Sequence, residues 1–105
     1  MRLLVLLAAA GFAFAAMAQM RTIPKDAKVG EIRHVQAMEV EIDGRPEMLA
    51  PGAQIRDAEN RVVLPVSLAE KSHARYLVDG TGMVFQVWIL SPREVAELPA
   101  PPYPR

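Results

Sequence analysis

The stretch Tyr76–Leu90 reads YLVDGTGMVFQVWIL. Asp79-Gly80-Thr81-Gly82 is a turn signal between two apolar runs, so the segment reads as a hairpin. The second run, Met83 to Leu90, has one polar residue, Gln86, in eight. A strand with one wet face alternates apolar and polar residues, and this one does not. Strand geometry puts Met83, Phe85, Val87 and Ile89 on one face and Val84, Gln86, Trp88 and Leu90 on the other. A small barrel has one interior, so the second set needs a separate cover. The favoured cover is internal: a C-terminal helix lays Val95 and Leu98 over Trp88 and Leu90, helped by a lead-in around Ile23 and Val29. The alternative is an interface with a second copy or a partner protein, with Val84, Trp88 and Leu90 at its centre.

Working outward, the rest of the chain also reads as short strands. Val40 and Ile42 alternate with Glu39 and Glu41 in EIRHVQAMEVEI. Asp43-Gly44 is a two-residue hairpin signal, because both residues tolerate positive φ. The return strand is Arg45 to Leu49, and Pro46 marks it as short or at an edge. Ala50-Pro51-Gly52 predicts a turn before a short strand at Ala53–Arg56. Arg61 to Leu68 (RVVLPVSL) reads as a strand with Val62, Leu64, Val66 and Leu68 on one face. The expected barrel interior is Val62, Leu64, Val66, Phe85 and Val87.

Ser91-Pro92-Arg93-Glu94 has the spacing of a capping box with proline at the first helical position. It predicts a short helix over Pro92–Leu98, stopped by Pro99. Turns every eight to ten residues and no long helical period predict a mainly β fold. The expected architecture is a small antiparallel five- or six-stranded barrel or roll with a short C-terminal helix.

The N-terminus, MRLLVLLAAAGFAFAAMAQ, has a basic residue, fourteen uncharged apolar residues (Leu3–Ala16) and Ala16-Met17-Ala18. That is the pattern of a secretory signal peptide cleaved after Ala18. A spanning helix needs about 20 apolar residues, so no membrane span is expected after its removal. The expected organisation is a signal peptide over 1–18, an extended lead-in over 19–30, a β domain over 31–98 and a proline-rich tail over 99–105. The tail should be extended polyproline II. Localisation is expected to be periplasmic or secreted. Cysteine is absent, so a domain this small rests on packing or association alone. Loss of Arg2 with the leader leaves 11 basic against 12 acidic residues. That balance gives no basic face for nucleic acid and little repulsion between copies.

The segments LAPGAQIRDAENRVV and VWILSPREVAEL, on either side of the DGTG hairpin, resemble small exported β-rich proteobacterial proteins, generally uncharacterised, with a PGAxIR segment followed by VWIL, Ser or Thr, and Pro. The resemblance covers most of Leu49–Leu98. It implies export and a bacterial envelope setting, and it carries over no catalytic residue.

Catalytic patterns are scarce. There is no cysteine nucleophile and no Gly-x-Ser-x-Gly elbow. Ser72 beside His73 reads as a polar loop, because a triad is assembled across a fold and not between sequence neighbours. Met20, Met38, Met48 and Met83 with His34 and His73 could supply soft ligands for copper, yet no close His or Met pair brings them together, and methionine usually packs. No catalytic, metal or cofactor residue is assigned. The reading is a non-enzymatic binding or adaptor module of the envelope, with a copper carrier or an enzyme whose site is assembled across strands as the alternatives.

Overall fold

The computed structural model describes residues 21–68 and 70–99. The expected leader and all but the first residue of the expected tail lie outside them. Six strands run in the order β1 (Lys28–Gln36), β2 (Glu39–Ile42), β3 (Arg45–Arg56), β4 (Val62–Val63), β5 (Ser72–Val78) and β6 (Val84–Ile89). A 3-10 turn spans Pro65–Leu68 and a helix, α1, spans Pro92–Ala96.

The sheet order is β2-β1-β5-β6-β3-β4, and a further β2–β3 pairing closes five of the strands into a ring. Every pairing is antiparallel except β3 with β6, which is parallel. A three-strand meander is thus joined on one side to β5 and on the other to β6. Leaving β4 aside, this is the connectivity of the oligonucleotide/oligosaccharide-binding barrel, a five-stranded Greek-key barrel. The shared topology describes the fold and assigns no function.

Closure explains the core. Ile32, Val40, Ile42, Leu49, Ile55, Ala74, Tyr76, Val84 and Val87 point into the ring, and Leu68 of the 3-10 turn joins them; all are buried. Register carries this arrangement from strand to strand. Ile32 pairs with Ile42, Leu49 with Val84, Ile55 with Val87 and Tyr76 with Val87. The Asp43-Gly44 turn forms as expected, with φ of 53° and 80°. Pro46 lies where β3 has only β2 beside it, since β6 begins to pair at Leu49, so its missing N–H breaks no ladder bond on the open side.

Several expectations are corrected. Val62, Leu64 and Val66 are exposed at 57%, 71% and 61%, and Phe85 is half-exposed; of the expected interior set only Val87 is buried. For β6 the cause is a bulge. Val78 pairs with Val84 and Leu77 with Gln86, so Phe85 is the extra residue and the inward phase shifts by one. Val84 therefore enters the barrel ahead of the bulge, and Val87 and Ile89 do so after it. For RVVLPVSL the cause is Pro65. Pairing stops after Val63, and the chain turns into a 3-10 coil that brings only Leu68 inward.

Two strand boundaries also differ. Ala50-Pro51-Gly52 does not end a strand: β3 continues as one twelve-residue strand that bends there, with Gly52 at φ 80°. β1 begins at Lys28, inside the expected lead-in, and a turn at Ala37-Met38, with Ala37 at φ 46°, divides EIRHVQAMEVEI between β1 and β2. The helix is shorter than expected and ends at Ala96, and its capping box is complete. Ser91 Oγ accepts from Glu94 N at 3.2 Å, and Glu94 Oε1 accepts from Ser91 N at 3.0 Å.

Candidate functional site

Val84, Trp88 and Leu90, the expected interface residues, are 1%, 6% and 8% exposed. Val84 is core, and Trp88 and Leu90 lie on the outer face. Trp88 pairs with Arg75 on one side and Arg56 on the other, so two guanidinium stems share its face. Leu90 lines a seam with Arg21, Ile23, Arg75, Glu94, Glu97 and Leu98. Leu90 is therefore covered by the lead-in and α1, and all three residues are buried within the chain.

Arg21 fastens that cover. Its side chain is 5% exposed. Nη1 donates to Asp57 O at 2.6 Å and Nη2 to Ile89 O at 2.6 Å. Nη2 and Nε also donate to the Glu94 carboxylate at 2.9 and 3.2 Å. Burial pushes the Glu94 carboxyl up, but bonds from Arg21 and Ser91 outweigh it and hold the group below the usual range.

One open surface lies elsewhere on the barrel wall. In the β2–β3 ladder Glu39 pairs with Met48 and Glu41 with Pro46. These four face outward, because their neighbours Val40 and Ile42 face in. Leu49 pairs with Val84 across the parallel ladder, which sets Met48 beside Met83. A groove of about 330 Å³ runs between this wall and the β5–β6 loop, lined by Glu39, Pro46, Glu47, Met48, Thr81, Gly82 and Met83. Met48 and Met83 are 46% and 37% exposed along it.

Asp79 builds the rim of the groove. Its Oδ1 accepts from Thr81 Oγ1 at 2.6 Å, Thr81 N at 2.8 Å and Met83 N at 3.1 Å. The Thr81 hydroxyl, then the loop N–H groups, hold the Asp79 carboxyl below its ordinary value. Gly82, at φ 91°, makes the left-handed step that returns the chain to β6. The loop is thus set in shape before any ligand arrives.

Of the soft ligands considered for the copper alternative, the fold brings Met48 and Met83 to one groove but neither histidine to them. His34 pairs with Val40 and so faces away from Met48; its Nε2 lies 2.9 Å from Ala37 O. His73 Nε2 is 3.7 Å from Glu31 Oε1, and both side chains are about 40% exposed. Neither histidine lines the groove or the seam. No group of three or more His, Cys, Asp or Glu residues with metal-binding geometry occurs among the described residues. Sequence reasoning missed that Met48 and Met83 line one groove, which depends on the parallel register of β3 and β6. No described helix is long and apolar enough to cross a membrane. Comparison with family models, curated proteins and solved structures gives no match to this chain.

Proposed function

We propose that the protein is an exported, non-enzymatic binding module of the bacterial envelope, and that the groove between the β2–β3 wall and the β5–β6 loop is its binding site. The observation that carries this reading is the position of Met48 and Met83. They stay exposed beside each other on the outer wall, where barrels of this connectivity present their ligand surface: the face of strands two and three and the loop between the last two strands. Polarizable, adaptable methionines suit such a surface. The leader-like N-terminus and the resemblance of Leu49–Leu98 support export. The groove's charged residues are both acidic, which argues against the nucleic-acid ligands that many such barrels take.

Titration of isotope-labelled protein with periplasmic extract tests the reading. Amide shifts confined to Glu39, Met48 and Thr81–Met83, abolished by Met48→Lys, support it. Shifts confined to the Arg21–α1 seam, or none, refute it. N-terminal sequencing of the periplasmic protein should begin at Gln19, and recovery only in membranes with Met1 intact would end the export reading.

A further inference from the structure

The groove's charge pattern narrows its ligand. Two of its seven lining residues are charged, Glu39 and Glu47, and no lysine or arginine among the described residues lines it. Glu47 is 3.7 Å from Arg45 and is partly neutralised. Glu39 makes no ion pair among the described residues. It stands directly across the ladder from Met48, so a carboxylate and an apolar floor are presented together. Thr81 and Gly82, on the opposite rim, belong to a loop already ordered by Asp79, so little ordering is needed on binding.

We propose that this groove takes a peptide segment that carries a basic side chain beside an apolar one, the cation on Glu39 and the apolar group on Met48 and Met83. The proposal rests on the groove being the binding site and adds the class of partner. An apolar floor alone would accept any greasy segment. The unpaired carboxylate selects among them, because an acidic segment would meet like charge and leave Glu39 uncompensated.

The test uses the full protein and four probes: the acetylated, amidated peptides Lys-Leu-Lys-Leu and Glu-Leu-Glu-Leu, spermidine, and silver ion. Lys-Leu-Lys-Leu should move the amides of Glu39, Met48 and Thr81–Met83, and Glu-Leu-Glu-Leu should not. Glu39→Gln should weaken the lysine peptide about fivefold, the range of a solvent-exposed ion pair, and Glu39→Lys should abolish its binding. Both variants should melt within a few degrees of the wild type, since Glu39 is part-exposed. Equal binding of the two peptides overturns the proposal, and so does spermidine binding as tightly as the lysine peptide. Stoichiometric silver binding that shifts the Met48 and Met83 methyl groups and excludes the peptide makes this a soft-metal site and also overturns it. If envelope extract moves the groove while Lys-Leu-Lys-Leu does not, only the partner class falls. If extract leaves the groove unmoved, the binding-site reading falls with it.

Discussion

Removing the Arg21 side chain is the sharpest test of how the outer face is covered. Arg21→Ala deletes one buried guanidinium and strands its three partners: the Glu94 carboxylate and the carbonyls of Asp57 and Ile89. A hydrogen bond to a charged group contributes about 1.5–3 kcal/mol, and breaking a fully buried ion pair costs about 3–5 kcal/mol. Glu94 is 28% exposed, so water rehydrates part of it and the lower range applies. A loss of about 2–3 kcal/mol should lower Tm by about 10–20 °C in a domain of this size. Thermal unfolding followed by far-UV circular dichroism measures it, and Trp88 fluorescence should shift to the red as its cover loosens. The control is Arg93→Ala, whose pair with Glu97 is 3.9 Å long with side chains 91% and 71% exposed; it should change stability by under about 0.5 kcal/mol. The pH dependence has a definite sign. Glu94 is held below its usual range when folded, so its contribution is present above the unfolded carboxyl range, near pH 4.3, and is lost as pH falls through the folded value. The gap between wild type and Arg21→Ala should narrow in acid. A Tm drop under about 3 °C, or equal losses for Arg21 and Arg93, would refute the clamp.

Three further outcomes follow from packing and loop geometry. Leu68→Ala should cost about 2–5 kcal/mol because Leu68 is fully buried, while Leu64→Ala, at a residue 71% exposed, should cost under about 0.5 kcal/mol; urea melts compare the two. Gly30→Ala would place a methyl 2.9 Å from Ile42 Cγ2 and 3.0 Å from Asp43 Oδ2, so overpacking of about 1–3 kcal/mol is expected by the same assay. Asp79→Asn should raise amide exchange at Thr81–Met83, because a neutral amide oxygen accepts their bonds more weakly than the carboxylate does. In the wild type the same loosening should occur only as pH falls through the Asp79 value, below the ordinary aspartate range.

Much of the fold is legible in local chemistry. Asp43-Gly44, the DGTG hairpin and the Ser91–Glu94 capping box each act within four residues, and each forms as its sequence dictates. The face assignments failed where one residue changes phase. Phe85 is an apolar residue in an apolar run, so nothing local marks it as the bulge; only the partner strand fixes the register. Val62, Leu64 and Val66 alternate as a strand should, and Pro65 was the warning that they would not all pair. The cover over Leu90 was half legible. The helix and lead-in were expected there, but Arg21 gives no sign in sequence that its fork will meet two carbonyls far along the chain. The groove was not legible at all, because Met48 and Met83 become neighbours only through a parallel ladder between distant strands.

That parallel ladder also governs how the barrel is reached. The β2–β3 and β5–β6 hairpins close through tight turns, with small losses of chain entropy. The β3–β6 seam joins Leu49 to Val84, and β1 to β5 joins Lys28 to Tyr76; neither can form until a long loop has been gathered. Chains dominated by such distant contacts fold slowly. Ring closure is therefore the late step, and until it happens the edges of β3 and β6 stand unpaired with Leu49, Val84 and Val87 uncovered. The interval before closure is when this chain is most open to sticking to its copies, and a chaperone that shields those two edges would act then.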